Sequence, residues 1–435
     1  MDIIANLPCS WDLATSRRAR SMAIAWDANN SWAGKLSEMN TRVQIQGVKS
    51  TLRTPRLAGG ADAPRRRSSL ALVGPLLASL SLLPAVGCSK EAPGDQPLTV
   101  GFIYVGARDD YGYNQAHAEG AAAVAKLAGV KTREEENVAE TVAVQKTIES
   151  MINLDGAAVI FPTSFGYFDP HILKVAEKYP DKVFLHCGGL YDASKHPSNV
   201  GSYFGYIDEA EYVSGVVAGM TTKSGKLGFI AAKPIPQVLR NINAFTLGVR
   251  SVNPGATTAV IFTGDWSMPV KEAEAANSLI DQGVDVLTAH VDSPKVIIEL
   301  AERRGAFSTG YHTNQATLAP KGYLTGAEWN WAKVYTDYMA WIREGKPYQH
   351  LLRGGFREGF VKLSPYGPAV SEEAKKKAEE AKAGLTEGTL VIFKGPIKDN
   401  EGKVVIAEAA EQKQTDIVLE SMNYLVEGAV GSVRH

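Results

Sequence analysis

Cysteine is scarce in this chain. Its 435 residues hold three, Cys9, Cys88 and Cys187, too few for a disulfide-built scaffold. An excess of one charge is missing too: 46 Lys and Arg stand against 47 Asp and Glu, so no chain-wide basic field points to nucleic acid. No apolar run reaches the roughly 20 unbroken residues of a membrane span. The longest candidate, LALVGPLLASLSLLPAVG, is interrupted by Gly74, Pro75 and Pro84. A content of 45% hydrophobic and 21% charged residues excludes a disordered chain and a polytopic membrane protein. The length is a prior for two or three domains. Catalytic and cofactor signatures are likewise lacking: no GxxxxGK[ST] phosphate loop, no GxGxxG after the first strand, no GxSxG elbow, no HExxH.

What is present divides the chain in two. Residues 1–88 carry 11 Lys/Arg against 5 Asp/Glu, whereas the remainder carries 35 against 42. Residues 1–63 are polar and aperiodic, and are expected to be a non-native or disordered leader, with translation starting near residue 50–60. Residues 64–87 join Arg65-Arg66-Arg67 to the interrupted apolar run and a small-residue end, the three parts of a signal peptide. Ala85-Val86-Gly87-Cys88 resembles a bacterial lipobox. That implies a lipidated Cys88, a polar tether over 88–97 and a place in the periplasm or cell envelope, anchored to the membrane. Cys187 follows an apolar stretch and is expected to be a core thiol.

From Leu98 onward, short apolar runs alternate with helical ones. LTVGFIYV, AAVIFP, KVFLHC, KLGFIAA, VDVLTAH and the stretches 257–263, 306–311 and 323–328 read as strands. Segments 114–127, 170–178, 209–222, 237–252, 270–282, 294–304 and 331–344 read as helices. Continuous apolar strands between helices mean parallel sheets covered on both faces. So many units suit two doubly wound lobes better than one sheet. The expected N-terminal lobe is 98–206 with 307–330, and the C-terminal lobe 207–306 with 331–435. Residues 202–208 would form the first crossover. In the tail, 371–383 reads as a charged helix, and 389–393 and 403–406 as a hairpin-like pair around Lys398–Gly402.

The strand ends collect aromatic, amide and acidic side chains, and in open α/β sheets these ends face the ligand crevice. His290, Asp292 and His312 read there as polar strand tips rather than as a metal site, since no second HxH or CxxC accompanies them. Aromatic rings at several strand ends favour a flat, π-faced ligand with polar edges.

These residues carry a resemblance. GFIYVGARDDYGYNQAHAEG, PTSFGYFDP, NAFTLGVRSVNP, KEAEAANSLIDQGVDVL, HVDSP, GYHTNQ, WNWAKVY and SMNYLVEGAVG, spread over about residues 98–431, resemble the basic membrane protein family of ABC-transporter substrate-binding lipoproteins, the purine nucleoside receptor group. The resemblance implies an α/β type I periplasmic-binding-protein fold, two lobes joined by three crossovers with the ligand cleft between them, and no catalytic activity or cofactor. It implies a purine-like ligand, an ABC permease as partner and a monomer. Matched by motif, Tyr113 corresponds to the aromatic that stacks on the base, with Asn114 beside it. Phe165 and Asp169 lie in the second loop, and Trp266 matches the aromatic of the opposite lobe. His312 stands where family members carry Asp, and Asn330 and Trp331 where they carry Lys. Both of those residues help hold ribose and base, so a free nucleobase or another flat heterocycle remains open as the ligand. A sensor docking on a membrane receptor, a periplasmic nucleoside hydrolase and a two-lobed repressor are the rival classes. The first would lack neighbouring permease genes, the second needs an acidic metal site, and the third an N-terminal helix-turn-helix.

Overall fold

Near-continuous apolar runs become the interior strands of two parallel sheets. The computed structural model describes residues 97–433, which belong to a compact unit beginning at Cys88. The expected leader (1–63), signal peptide (64–87) and Cys88 with its tether to residue 96 lie outside the described residues.

Strands β1 (Leu98–Ile103), β2 (Val130–Glu135), β3 (Ala157–Pro162), β4 (Val183–Cys187) and β5 (Val200–Gly205) come first. Then follow β6 (Lys226–Ala231), β7 (Thr257–Phe262), β8 (Val286–His290), β9 (Phe307–His312) and β10 (Tyr323–Trp329), and after them β11 (Leu351–Gly354) and β12 (Val361–Leu363). The first sheet has the order β11-β5-β4-β3-β1-β2, all parallel. The second runs β12-β10-β9-β8-β6-β7 and continues into β17 (Ala429–Val430), with β12 antiparallel. Helices α1 (Tyr113–Val124), α2 (Val142–Asn153) and α3 (Leu173–Lys178) belong to the first lobe. Helices α4 (Asp208–Thr221), α5 (Pro236–Val252), α6 (Pro269–Asp281) and α7 (Lys295–Arg304) serve the second. Helix α8 (Trp331–Arg343) packs on α1, and α9 (Glu372–Glu387) packs on α4. The latter starts at a Ser371 hydroxyl accepting the Ala374 N–H and stops at Gly388 in the left-handed region.

The chain therefore passes between lobes three times: after Gly205, at Asn330, and between Gly354 and Val361. This corrects the expected lobe boundaries. Strands β9 and β10, within 307–330, belong to the second sheet, because β9 pairs with β8 through Val286–Phe307 and Leu287–Ser308. Helix 331–343 returns to the first lobe. Residues 200–205, expected largely as crossover, form the fifth strand, and the crossing begins at Tyr206. In the tail, β14 (Ile397–Lys398) pairs with β15 (Val404–Ile406) across the expected turn, whereas β13 (Phe393–Lys394) pairs with β16 (Glu411–Gln412). The expected pairing of 389–393 with 403–406 is not formed. Strand β17 then covers the outer edge of β7, closing an edge that would otherwise offer unpaired backbone groups.

Candidate functional site

The carboxyl ends of both sheets face each other, and the loop before α1 spans the gap. The Asp110 carboxylate organises that loop, accepting the N–H groups of Gly112, Asn114 and Gln115 at 2.9–3.0 Å and the Asn114 amide at 2.8 Å. It fills the capping role that Gly112, without a side chain, cannot. Burial raises its pKa, and these hydrogen bonds oppose the rise.

The loop then meets the second lobe directly. The Tyr113 N–H donates to the Asp292 carbonyl (2.8 Å), Ser293 Oγ to the Asp110 carbonyl (2.5 Å), Gln315 Nε2 to the Tyr111 carbonyl (2.5 Å) and Thr313 Oγ1 to Glu119 (2.9 Å). The Lys295 ammonium lies 5.0 Å from the Tyr111 ring centre. Gly112 is required for this approach, since a Cβ there would lie 1.9 Å from the Asp292 carbonyl oxygen. The two lobes are thus closed on each other.

Behind this latch five rings form a circuit. Tyr113 stands edge-on to His117 (4.6 Å between centres) and His117 lies parallel to Trp331 (5.2 Å, 1°). Trp331 stacks on Trp329 (4.6 Å, 15°), Trp329 on His312 (6.5 Å, 28°), and His312 returns edge-on to Tyr113 (5.5 Å). Tyr113 and His117 are one turn apart on α1, which places them on one face. Trp329 and Trp331 flank the crossover at Asn330, and His312 ends β9. The circuit therefore joins both lobes at the hinge. The Tyr113 hydroxyl donates to the Thr163 carbonyl (2.6 Å). Gly120 lets α8 come close behind it, because a Cβ there would meet the Tyr335 ring at 2.8 Å and Trp331 at 2.9 Å.

A second group continues from His312 into the C-terminal lobe. His290 uses both ring nitrogens, one with the Asn241 amide (3.1 Å) and one with the Tyr311 hydroxyl (3.2 Å). His312 accepts the Trp329 indole N–H at Nδ1 (2.9 Å), so its Nε2 carries the hydrogen and donates to the Val291 carbonyl (3.1 Å). The His312 backbone is left-handed, φ 77°, a conformation seldom taken by a residue with a Cβ. Burial pushes His290 down to about 3 and His312 well below the ordinary value, so both are neutral at physiological pH. With every ring nitrogen engaged, neither has a lone pair to offer a metal. Trp266 lies in the loop after β7, its ring 6.1 Å from that of His290 and 5.6 Å from the Lys233 ammonium. Asp292 is held at its backbone by Trp266 and Tyr113. Its carboxyl is pushed up to about 7 by burial first, then by Asp110, Glu140, Asp265 and Glu272.

Tyr113, Trp266, His290, Asp292, His312 and Trp331 are thus brought together. The other expected residues are placed differently. The Asn114 amide is consumed within its own loop by Asp110 and by the Gly106 N–H (3.1 Å). The Asn330 amide donates to the Gly359 carbonyl (2.8 Å), tying one crossover to another. Phe165 is 71% exposed, and Asp169, exposed as well, sits in the bend that follows it. Cys187 is buried, its thiol raised to about 12 by burial. His117, Asn241 and Tyr311 were not among the expected site residues. The four-residue spacing of Tyr113 and His117 was the available signal for the first.

Known proteins resemble the chain in sequence and in fold. The family described as ABC transporter substrate-binding protein PnrA-like (Bmp) matches residues 98–385. A purine-binding protein of Brucella abortus (strain 2308) is 37% identical over 78% of this chain and 94% of its own length. A Haloferax volcanii protein, provisionally described as an ABC transporter glucose-binding protein, is 32% identical over 78% of this chain and 82% of its own. Among solved structures, an ABC transporter solute-binding protein from Conexibacter woesei has a TM-score of 0.58 at 22% identity, covering 67% of this chain and 97% of its own. This last likeness shows the fold, of the type I class.

Proposed function

Since this chain belongs to the Bmp family of PnrA-like ABC transporter substrate-binding proteins, we propose that it captures a flat, purine-like heterocycle, nucleoside or free base, by hinge closure and delivers it to a permease. The observation that carries this reading is the aromatic circuit at the hinge, with members from both lobes. A ligand touching rings on both sides stabilises the closed form by its differential contacts alone. The name of the Brucella relative supports a purine. The free base is favoured over the ribonucleoside, because His312 has both nitrogens engaged and the Asn330 amide is spent on Gly359. We place the contacts on Tyr113, Trp266, Asp292 and Trp331, with Phe165 and Asp169 at the outer rim. The family is one of solute binders, and no catalytic step is proposed. The lipobox-like Ala85–Cys88 supports an extracytoplasmic, membrane-anchored location.

Thermal-shift and calorimetric titration of the full chain tests the reading with adenine, hypoxanthine, adenosine, cytidine, riboflavin and glucose. Stabilisation by purines is expected. Glucose is included because of the Haloferax relative; stabilisation by glucose alone, or by no compound, would overturn the purine reading.

A further inference from the structure

Two nitrogens of the aromatic circuit stand without partners. Trp331 is 1% exposed, and its indole N–H has no acceptor among the described residues. An indole nitrogen can only donate. His117 is fully buried, and its Nε2 also lacks a partner. The tautomer of His117 follows from hydrogen-bond accounting. Its Nδ1 lies 2.6 Å from the Tyr335 hydroxyl, which lies 2.8 Å from the Tyr203 hydroxyl. The buried Tyr203 proton is satisfied when Tyr203 donates to Tyr335. Tyr335 then donates its own proton to His117 Nδ1. Nδ1 is therefore the acceptor and Nε2 carries the hydrogen.

Two N–H donors thus sit on rings parallel within 1°, 5.2 Å apart. Tyr113, edge-on to His117, links them to the closing loop. Buried donors are almost always paired in folded proteins, so an unpaired pair linked through Tyr113 to the closing loop points to an incoming acceptor. The Nδ1 side of His117 is turned to Tyr335, which leaves Nε2 on the opposite side of the ring. His312, at the other end of the circuit, offers no free nitrogen, so its polar atoms do not compete for the ligand.

Resting on the purine reading above, we infer that Trp331 and His117 are specificity-determining residues that read an edge bearing two acceptors. The N7 and O6 positions of a 6-oxopurine form such an edge, whereas a 6-aminopurine presents an acceptor beside a donor there. A donor facing these N–H groups leaves one unpaired, the arrangement that gives strong discrimination.

The test is calorimetric titration of the full chain with hypoxanthine, adenine and 7-deazahypoxanthine, in the wild type and in W331F, which keeps a ring and removes the N–H. Hypoxanthine is expected to bind at least tenfold more tightly than either analogue. W331F is expected to lose that preference, weakening hypoxanthine at least tenfold and adenine less than threefold. Equal binding of hypoxanthine and adenine by the wild type, or an intact preference in W331F, overturns the inference and leaves purine capture standing. No binding of any base by the folded wild type overturns the purine reading together with the inference. Should W331F fail to fold, 15N-tryptophan spectra of the wild type decide. A downfield indole N–H shift with hypoxanthine that is absent with 7-deazahypoxanthine supports the inference, and its absence with hypoxanthine overturns it.

Discussion

The Tyr113 N–H donates to the Asp292 carbonyl at 2.8 Å, and this bond joins the first lobe to the second with no side chain between. The glycine before Tyr113 makes it possible. Gly112→Ala would place a methyl 1.9 Å from the same carbonyl oxygen, a separation that neither backbone can accept. The closed form is the one destabilised, since the contact vanishes when the lobes part. We expect ligand affinity to fall at least tenfold with a cooperative melt retained, and small-angle scattering to report a larger radius of gyration. Unchanged affinity would show that closure does not need this contact.

Asp292 predicts a pH dependence with a definite sign. Its carboxyl in the closed fold is pushed up to about 7, against about 3.9 for a solvated aspartate. The closed fold therefore holds the proton more tightly. The associated stability is fully present below about pH 4 and is lost as pH rises through about 7. Asp292→Asn keeps the shape and removes the titration. The melting-temperature gain of the variant over the wild type should be small at pH 4, grow through pH 5 and 6, and level off above pH 7. A constant difference across that range would show that the carboxyl keeps its ordinary pKa.

Strands were legible where burial on both faces leaves a plain apolar run, as in LTVGFI and AAVIFP. Which sheet a strand joins was not, because 307–312 reads equally well beside either neighbour until its pairing with β8 is seen. Strand β2 (VKTREE) was hidden because it is a sheet edge and carries charge. Helix α2 went unread although its Val144, Ile148 and Met151 make a buried stripe. At the site, aromatic strand tips were readable as such. The spent amides of Asn114 and Asn330 were not, since residue type cannot tell whether a polar group faces a ligand or its own backbone. His117 was masked by its alanine-rich helix, whose polar member looked like an ordinary helix residue.

Trp266 enters from the second lobe, with the His290 ring on one flank and the Lys233 ammonium near it. Its ring is half-buried, so it has apolar face left to give to a ligand. Trp266→Ala is expected to weaken purine binding more than tenfold, with a cooperative melt retained. Titration by calorimetry checks this without relying on tryptophan emission. Full affinity in the variant would assign the ring to packing alone.

Outside the family-matched segment, a buried cation helps to hold the tail. Arg240 lies 2.9 Å from Asp208, with side chains 6% and 2% exposed, and donates to the Gln414 side chain at 2.7 Å. Gln414 in turn donates to Asp208 at 2.9 Å. Removing one partner of a buried pair leaves the other charge unpaired, at a cost of about 3–5 kcal/mol. Arg240→Ala should lower the denaturation midpoint accordingly and make residues 411–421 sensitive to limited proteolysis. A wild-type midpoint would show that Asp208 is satisfied without the guanidinium.

The anchoring proposal can be tested at Cys88. Among the described residues the first strand starts at Leu98, ten residues after Cys88. Acyl chains contribute about 0.8 kcal/mol per buried methylene, and two chains suffice for stable attachment. In bacteria expressing the full chain, the wild type should take up labelled palmitate and sediment with membranes. Cys88→Ser should take up none and appear in the soluble fraction with its ligand affinity unchanged, because the cysteine precedes the first strand. Membrane retention of the serine variant would place the attachment elsewhere in the chain.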